Sequence, residues 1–281
     1  MSTSALPSHG WTPDRRIQPC AIVPVYQPVE QLLSLIDELL SANFLMMIVV
    51  NDGSSPKSLR IFEELKRRKR LIVLEHDSNL GKGDALKTAL RYILSKGITT
   101  SGAVTFDCDG QHTASDVVKI AQSLMDNPQA LSLGVRTFDD KVPIRNRFGN
   151  TLMRFLVSLF YKKTLTDTQT GLRAIPSELF SPLAALQSGR FEFEMEMLIF
   201  AIARQMEIIE VPIQTIYRQK DYRSHFHPFL DSARISHLFW RSTWQRRLSL
   251  GFNIDRENSG NLVVIRRWLV EGIEASKTNA M

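Results

Sequence analysis

The sequence predicts an α/β fold, a mostly parallel central sheet with helices on both faces. Two patterns carry that prediction. Short apolar runs of strand length alternate with segments whose apolar residues recur at helical spacing, and polar, glycine-containing segments fall just after several of the runs. Ligands of such sheets gather at the carboxyl ends of the strands, so those polar segments are where function is sought.

In chain order, Cys20 to Tyr26 is a first strand, halted by Pro28. Val29, Leu32, Leu33, Ile36, Leu39 and Leu40 form a helical stripe leading to a second strand, Met46 to Val50. Leu59, Phe62 and Leu65 mark another helix, ending in the basic run 66–70 and followed by a strand from Leu71 to Leu74. The run is expected to be an exposed helix end rather than a nucleic-acid patch. Two more helix-and-strand units follow: a helix from Asp84 to Ser95 with a strand from Ala103 to Phe106, and a helix from Ser115 to Met125 with a strand from Ala130 to Val135.

The second half differs. Leu152, Phe155, Leu156, Leu159 and Phe160 make a helical stripe, but Met153, Val157 and Tyr161 leave that helix apolar nearly all round, which means burial or contact with lipid. A helix from Phe191 to Met206 and a short strand from Ile208 to Val211 complete the pattern.

The 281 residues suffice for one large domain with tails. We expect a loose N-terminal tail over residues 1–16, a folded domain over 17–235, and a basic, aromatic segment over 236–281. Within that segment Trp240 and Trp244 lie among Arg241, Arg246 and Arg247, a mixture suited to a membrane interface. Hydrophobic residues are 43% and charged residues 23%, which excludes the disordered and integral-membrane classes. No stretch approaches the ~20 apolar residues of a membrane span, and the first residues lack a secretory pattern. The expectation is a cytoplasmic protein, peripheral at the cytoplasmic face of the membrane. The net charge of +6 suits phosphates or anionic lipid without choosing between them. Cys20 and Cys108 are too far apart for a zinc pattern and read as two reduced, buried thiols in strands.

The most informative segment is Phe106-Asp107-Cys108-Asp109-Gly110-Gln111-His112, directly after a strand. Alternate residues of an extended backbone point the same way, so Asp107, Asp109 and Gln111 can present oxygens on one side, the donors Mg²⁺ or Mn²⁺ requires. The plainer alternative is a polar turn whose carboxylates cap the next helix. Pro24-Val25-Tyr26, Asn51-Asp52-Gly53-Ser54-Ser55 and Asn79-Leu80-Gly81-Lys82-Gly83 fall at or beyond the ends of the first three strands. An aromatic for a base, a carboxylate for a ribose or ring nitrogen, and a glycine-flanked lysine near phosphate are the parts of a nucleotide site. No Ser or Thr follows Lys82 in the frame a P-loop requires.

Taken in order, the motifs PVY, VNDGSS, NLGKGDA, DCDGQH, DTQTGLR and EVPI resemble those of family 2 glycosyltransferases, particularly the dolichyl- and polyprenyl-phosphate glycosyltransferases, from about Cys20 to Ile235. The resemblance implies the GT-A nucleotide-diphospho-sugar transferase fold. It also implies Mg²⁺ or Mn²⁺ as cofactor and inverting transfer from a nucleoside-diphosphate sugar, UDP before GDP, to a polyprenyl-phosphate-type lipid. By the same resemblance Pro24, Tyr26 and Asp52 contact the nucleoside, and Lys82 lies near its base or phosphates. Asp107 serves the nucleotide sugar and, with Asp109 and Gln111, the metal. Asp109, Asp167 and Glu192 are the catalytic carboxylates, Glu192 being preferred to Glu194. Arg136, Arg145, Arg147, Arg173 and Arg218 grip the acceptor phosphate, guanidinium groups being suited to that task. Asn51 and Gln27 depart from the family pattern, which leaves the nucleobase open.

Two other readings compete. A hydroxyl acceptor, on a lipid or saccharide, needs a base such as Asp167 or Glu192 within hydrogen-bond reach. A non-catalytic binding module would keep the fold for partner contact. The Asp167-to-Arg173 segment also reads as a simple loop with a cap, and Ser224-His225-Phe226-His227 as a loop rather than a metal pair.

Overall fold

The computed structural model describes residues 18–136, 150, 153–154, 157–159, 164–190 and 192–214. Seven strands form one sheet: β1 (Cys20–Val25), β2 (Met47–Asp52), β3 (Leu71–His76), β4 (Gly102–Thr105), β5 (Leu131–Arg136), β6 (Arg173–Pro176) and β7 (Ile208–Ile213), in the order β3-β2-β1-β4-β6-β5-β7. Strands β1 to β4 are mutually parallel, β5 and β7 pair in parallel, and β6 runs antiparallel between β4 and β5. The sheet is therefore mixed but mostly parallel, as expected. Strand β6 is the part the sequence did not announce.

Every residue of β1, β2 and β4 is buried, the pattern of strands covered on both faces. The two-residue period assigns their side chains to two cores. Cys20, Ile22, Ile48 and Val50 face helix α3 (Lys82–Ser95), the short α5 (Phe180–Ala184) and α6 (Glu192–Ala203). Ala21, Val23, Val25, Met47 and Val49 face α1 (Gln31–Leu40), α2 (Leu59–Lys66) and α4 (Ala114–Asp126). Helix α1 buries Leu32, Ile36 and Leu39, one stripe at helical spacing, whereas α6 buries residues nearly all round and sits deep in the first core.

Of the helix expected over 152–161, Met153 and Val157 are buried in the first core, whereas Leu159 is 59% exposed. Burial, not lipid, thus accounts for the described apolar residues on its inner side. The basic run is engaged within the chain, as expected of a helix end. Lys66 pairs with Glu63 and Glu75, Arg68 with Asp37, and Arg70 donates to the carbonyls of Leu40 and Phe44. Among the described residues no helix is long and apolar enough to cross a membrane. The N-terminal tail, Arg145, Arg147, Arg218, the 224–227 loop and the segment from 236 onward lie outside the described residues.

Candidate active site at the carboxyl ends of the strands

Because β1 to β4 are parallel, the segments leaving their carboxyl ends converge on one edge of the sheet. Tyr26, just past β1, is 38% exposed there, but Pro24 is buried inside the strand, so Tyr26 is the exposed member of that motif. Gln27 ties the first loop to the second: its N–H donates to Ser54 Oγ (3.0 Å), and its Oε1 accepts from Ser55 Oγ (2.8 Å). Asn51 Oδ1 accepts from the N–H of Ser54 (2.9 Å), shaping the same turn. At Gly53, φ is +67° and an added Cβ would stand 2.3 Å from the main chain of Ser78, so only glycine allows this loop against the next.

Asp52 does not sit as expected. It is 3% exposed, and both carboxylate oxygens are spent inside the protein. Oδ1 accepts from Leu80 N (2.9 Å) and lies 2.8 Å from His76 Nδ1, and Oδ2 accepts from Gly81 N (2.9 Å) and Asn79 Nδ2 (3.0 Å). A carboxylate is acceptor-only, so His76 must donate from Nδ1, leaving Nε2 to the hydroxyl of Thr88 at 2.9 Å. Asp52 is thus a clamp on the loop that delivers Lys82, not an open ligand for a nucleoside.

Lys82 begins α3 and projects its ammonium between two carboxylates, 2.6 Å from Asp107 Oδ1 and 3.0 Å from Glu194 Oε1. Burial opposes the charged lysine, but Asp107 and Glu194 overcome it and raise its pKa above the ordinary value. Burial likewise opposes ionised Asp107, and Lys82 with His112 outweighs it, holding that carboxyl well below the usual range. Asp109 behaves oppositely: burial and then the charge of Asp107 push its pKa up. Its Oδ1 accepts from the N–H of Gln111 (2.9 Å), while Thr113, not either aspartate, caps α4 by accepting from Asp116 N (3.1 Å). The plain capping alternative therefore fails for Asp107 and Asp109.

The sequence reading preferred Glu192 to Glu194; the structure links Glu194 to Lys82. Glu192 lies at the start of α6, where its Oε2 is buried without a hydrogen-bond partner. His112, which sequence reasoning passed over, is also buried, with Nε2 3.8 Å from Asp107 Oδ2 and Nδ1 unpartnered. Cys108 lies past β4 rather than in a strand, and burial raises its pKa to about 11. Buried Cys20 is likewise raised to about 11, so both thiols stay protonated at neutral pH.

Farther along the edge, Arg136 ends β5 and grips Asp167 through Nε to Oδ2 (2.6 Å) and Nη2 to Oδ1 (3.0 Å). Asp167 is fully buried and also accepts from the N–H of Gln169 (3.0 Å). Asn150 Oδ1 accepts from both the N–H and the hydroxyl of Thr168, each at 3.0 Å, so the loop is built rather than loose. Arg173 requires a correction. It is wholly buried, with its guanidinium donating to the carbonyls of Thr168, Thr170 and Glu194. Its donors face the protein interior, out of reach of an acceptor phosphate.

Among the described residues no three His, Cys, Asp or Glu side chains form a ready-made metal cage. The donors still suit a hard divalent cation. Two carboxylates stand close enough for one to raise the other's pKa, and Mg²⁺ typically takes only one or two carboxylates, filling its shell with phosphate oxygens and water. Asp107 and Asp109 fit that requirement.

In sequence and in fold the chain is similar to known proteins. The model of the family described as glycosyl transferase family 2 matches residues 20–182. The UDP-N-acetylglucosamine–dolichyl-phosphate N-acetylglucosaminyltransferase of Methanococcus voltae is 30% identical over 216 residues, covering 70% of this chain and 85% of that protein. The dolichyl-phosphate β-glucosyltransferase of Saccharomyces cerevisiae is 24% identical over 231 residues, 71% of this chain and 67% of its own. Among solved structures, glucosyl-3-phosphoglycerate synthase of Mycobacterium tuberculosis in complex with UDP superposes with a TM-score of 0.61 at 16% identity, covering 81% of this chain and 80% of that one. The same enzyme has been crystallised with Mn²⁺, UDP and its product.

Proposed function

Because the chain belongs to glycosyl transferase family 2, has the GT-A fold and is a glycosyltransferase, we propose that it moves a sugar from a UDP-sugar to the phosphate of a polyprenyl-type lipid, inverting the anomeric carbon. The observation that carries the proposal is the cluster of Lys82, Asp107 and Asp109 where the parallel strands end. In it, Asp107, Asp109 and Gln111 hold Mg²⁺ or Mn²⁺, and Tyr26 and Lys82 meet the nucleoside diphosphate. A bound divalent cation would neutralise charge building on the departing diphosphate, a contribution of several kcal/mol. The donor preference draws on the Methanococcus relative, whose name specifies a UDP-sugar.

A phosphate acceptor also agrees with how the carboxylates are spent. A phosphate monoester, with its second pKa near ~6, is largely dianionic at neutral pH and needs no strong base. Asp167 is committed to Arg136, so its role in this reading is to aim that guanidinium at the acceptor phosphate, with Arg145, Arg147 and Arg218 completing the grip. One observation keeps the hydroxyl route in contention: the unpartnered, buried Oε2 of Glu192. The non-catalytic alternative gives way to membership of a glycosyltransferase family.

Incubation with radiolabelled UDP-sugars, Mn²⁺ and vesicles containing polyprenyl phosphate tests the proposal. Label should enter the lipid phase and be lost with Asp109→Ala, and Glu192→Gln should retain activity. Label passing to a polyprenol or a saccharide but not to the phosphate would establish the hydroxyl route instead. We further propose peripheral membrane contact at the cytoplasmic face through the Trp- and Arg-rich segment from Trp240 to Leu250. The protein should float with anionic liposomes at low salt and be released as salt rises; sedimentation at low salt counts against attachment.

A further inference from the structure

The ammonium of Lys82 raises a difficulty for the metal reading, because it lies 2.6 Å from Asp107 Oδ1, an oxygen a divalent cation would use. The Lys82 side chain is only 13% exposed, and an ammonium so enclosed is costly to leave without a carboxylate partner. Glu194 supplies the second partner. Its Oε1 is 3.0 Å from Nζ, in ion-pair contact but without an aligned hydrogen bond, and its side chain is 10% exposed.

The placement of Glu194 is built into the fold. Gly83, in the first turn of α3, lies so close to the start of α6 and the residues before it that an added Cβ would stand 2.5 Å from Phe193 Cβ and 2.8 Å from the Arg190 carbonyl. Asp84 N donates to the Gly189 carbonyl (2.8 Å), and buried Arg173 donates to the carbonyl of Glu194 itself. Lys82 and Glu194 are thereby fixed on two backbones that are locked together, whereas Asp107 comes from a separate strand end.

We propose that Glu194 is a positioning residue that retains Lys82 when Asp107 turns to a divalent cation, so that lysine and metal do not compete for the same carboxylate. This rests on the metal-dependent reading above and adds to it a partner exchange: Lys82 with Asp107 before the cation enters, Lys82 with Glu194 after. Without Glu194, the lysine has Asp107 as its remaining carboxylate partner and opposes the cation.

The test is a titration of the full chain with Mn²⁺, with and without UDP, following free Mn²⁺ by electron paramagnetic resonance. Four proteins are compared: wild type, Glu194→Gln, Lys82→Met and the double variant, with thermal melts to confirm folding. Glu194→Gln should weaken Mn²⁺ binding roughly tenfold, within the range of coupling seen for contacting charged side chains. Lys82→Met should bind Mn²⁺ at least as well as wild type, and adding Glu194→Gln to it should change nothing further. Equal losses in both backgrounds would mean that Glu194 acts only through its own charge, and would overturn the exchange, as would unchanged affinity in Glu194→Gln. If Glu194→Gln fails to fold, Glu194→Asp, one methylene shorter, should give a smaller loss that likewise vanishes with Lys82→Met; a loss that persists there overturns it. A wild type that binds no Mn²⁺ even with UDP takes down the metal reading itself, whereas a wild type that binds it with an indifferent Glu194 sinks this inference alone.

Discussion

Asp107 and Lys82 approach each other against Gly171, which has no side chain. A Cβ on Gly171 would stand 2.1 Å from Asp107 Oδ2 and 2.6 Å from Lys82 Nζ, so alanine there meets the charged pair directly. No left-handed φ is involved, and the backbone itself accepts the change. Gly171→Ala should therefore displace the pair more than it unfolds the protein. Overpacking of this sort costs about 1–3 kcal/mol, whereas a displacement near 1 Å in a reacting constellation can cost about a hundredfold in rate. Steady-state kinetics beside urea unfolding checks this; wild-type turnover in a folded variant would show that the pair is not part of the catalytic arrangement. The same neighbourhood shows what a sequence leaves open at single residues. Glu192 and Glu194 are equivalent in composition terms, yet two positions along a helix turn roughly 200°, so they cannot share a face, and only contacts with Lys82 decide between them. Arg173 carries the composition of a phosphate ligand, and nothing local reveals that its donors meet three carbonyls in the interior.

Strand ends and the loops they release raise a different question, namely what holds each loop in place. For the loop between β3 and α3 the answer is Asp52, whose carboxylate collects the N–H groups of Leu80 and Gly81 together with the side chains of His76 and Asn79. Asp52→Ala leaves two main-chain N–H groups without their partner, and each such buried donor costs about 1–3 kcal/mol. The expected result is a loss of about 2–6 kcal/mol in urea denaturation, with hydrogen exchange at Leu80 and Gly81 accelerated before the rest of the sheet. Unchanged stability would mean that water replaces the clamp, returning Asp52 to the role of a nucleoside contact. An aspartate at a strand end reads the same in the sequence whether it faces ligand or loop. Strands β1 to β5 and β7 were legible, and in β1, β2 and β4 burial on both faces demands the continuous apolar runs that announce them. Strand β6 was not legible. Its four residues, Arg173–Pro176, begin with arginine and end with proline, and it exists through antiparallel pairing with β4 and β5, which are distant in sequence.

The described fold as a unit consists of a sheet whose interior is fixed by two apolar cores and whose carboxyl edge is assembled from segments distant in sequence: the turn after β2, the loop into α3, the loop after β4, the segment before β6 and the start of α6. The order of the motifs made that edge legible, because parallel strands bring their carboxyl ends together irrespective of separation along the chain. The polar contacts joining its segments, such as Lys82 to Asp107 and Glu194, are long in sequence and had no local signature. A ligand that touches several of these segments acts as a staple on the native state and is absent from the unfolded one. UDP with Mn²⁺ at about 100 times its dissociation constant should contribute about 2.7 kcal/mol. At about 2–4 °C per kcal/mol for a domain of this size, the melting temperature should rise by roughly 5–10 °C. Chelation by EDTA should remove most of that rise. In Asp109→Ala, Mn²⁺ should add little to the shift given by UDP alone, since the nucleoside contacts persist while a metal carboxylate is gone. A rise of the same size with and without Mn²⁺ in the wild type would show that the nucleotide is held without the cation, and would transfer the task of neutralising the leaving diphosphate to Lys82.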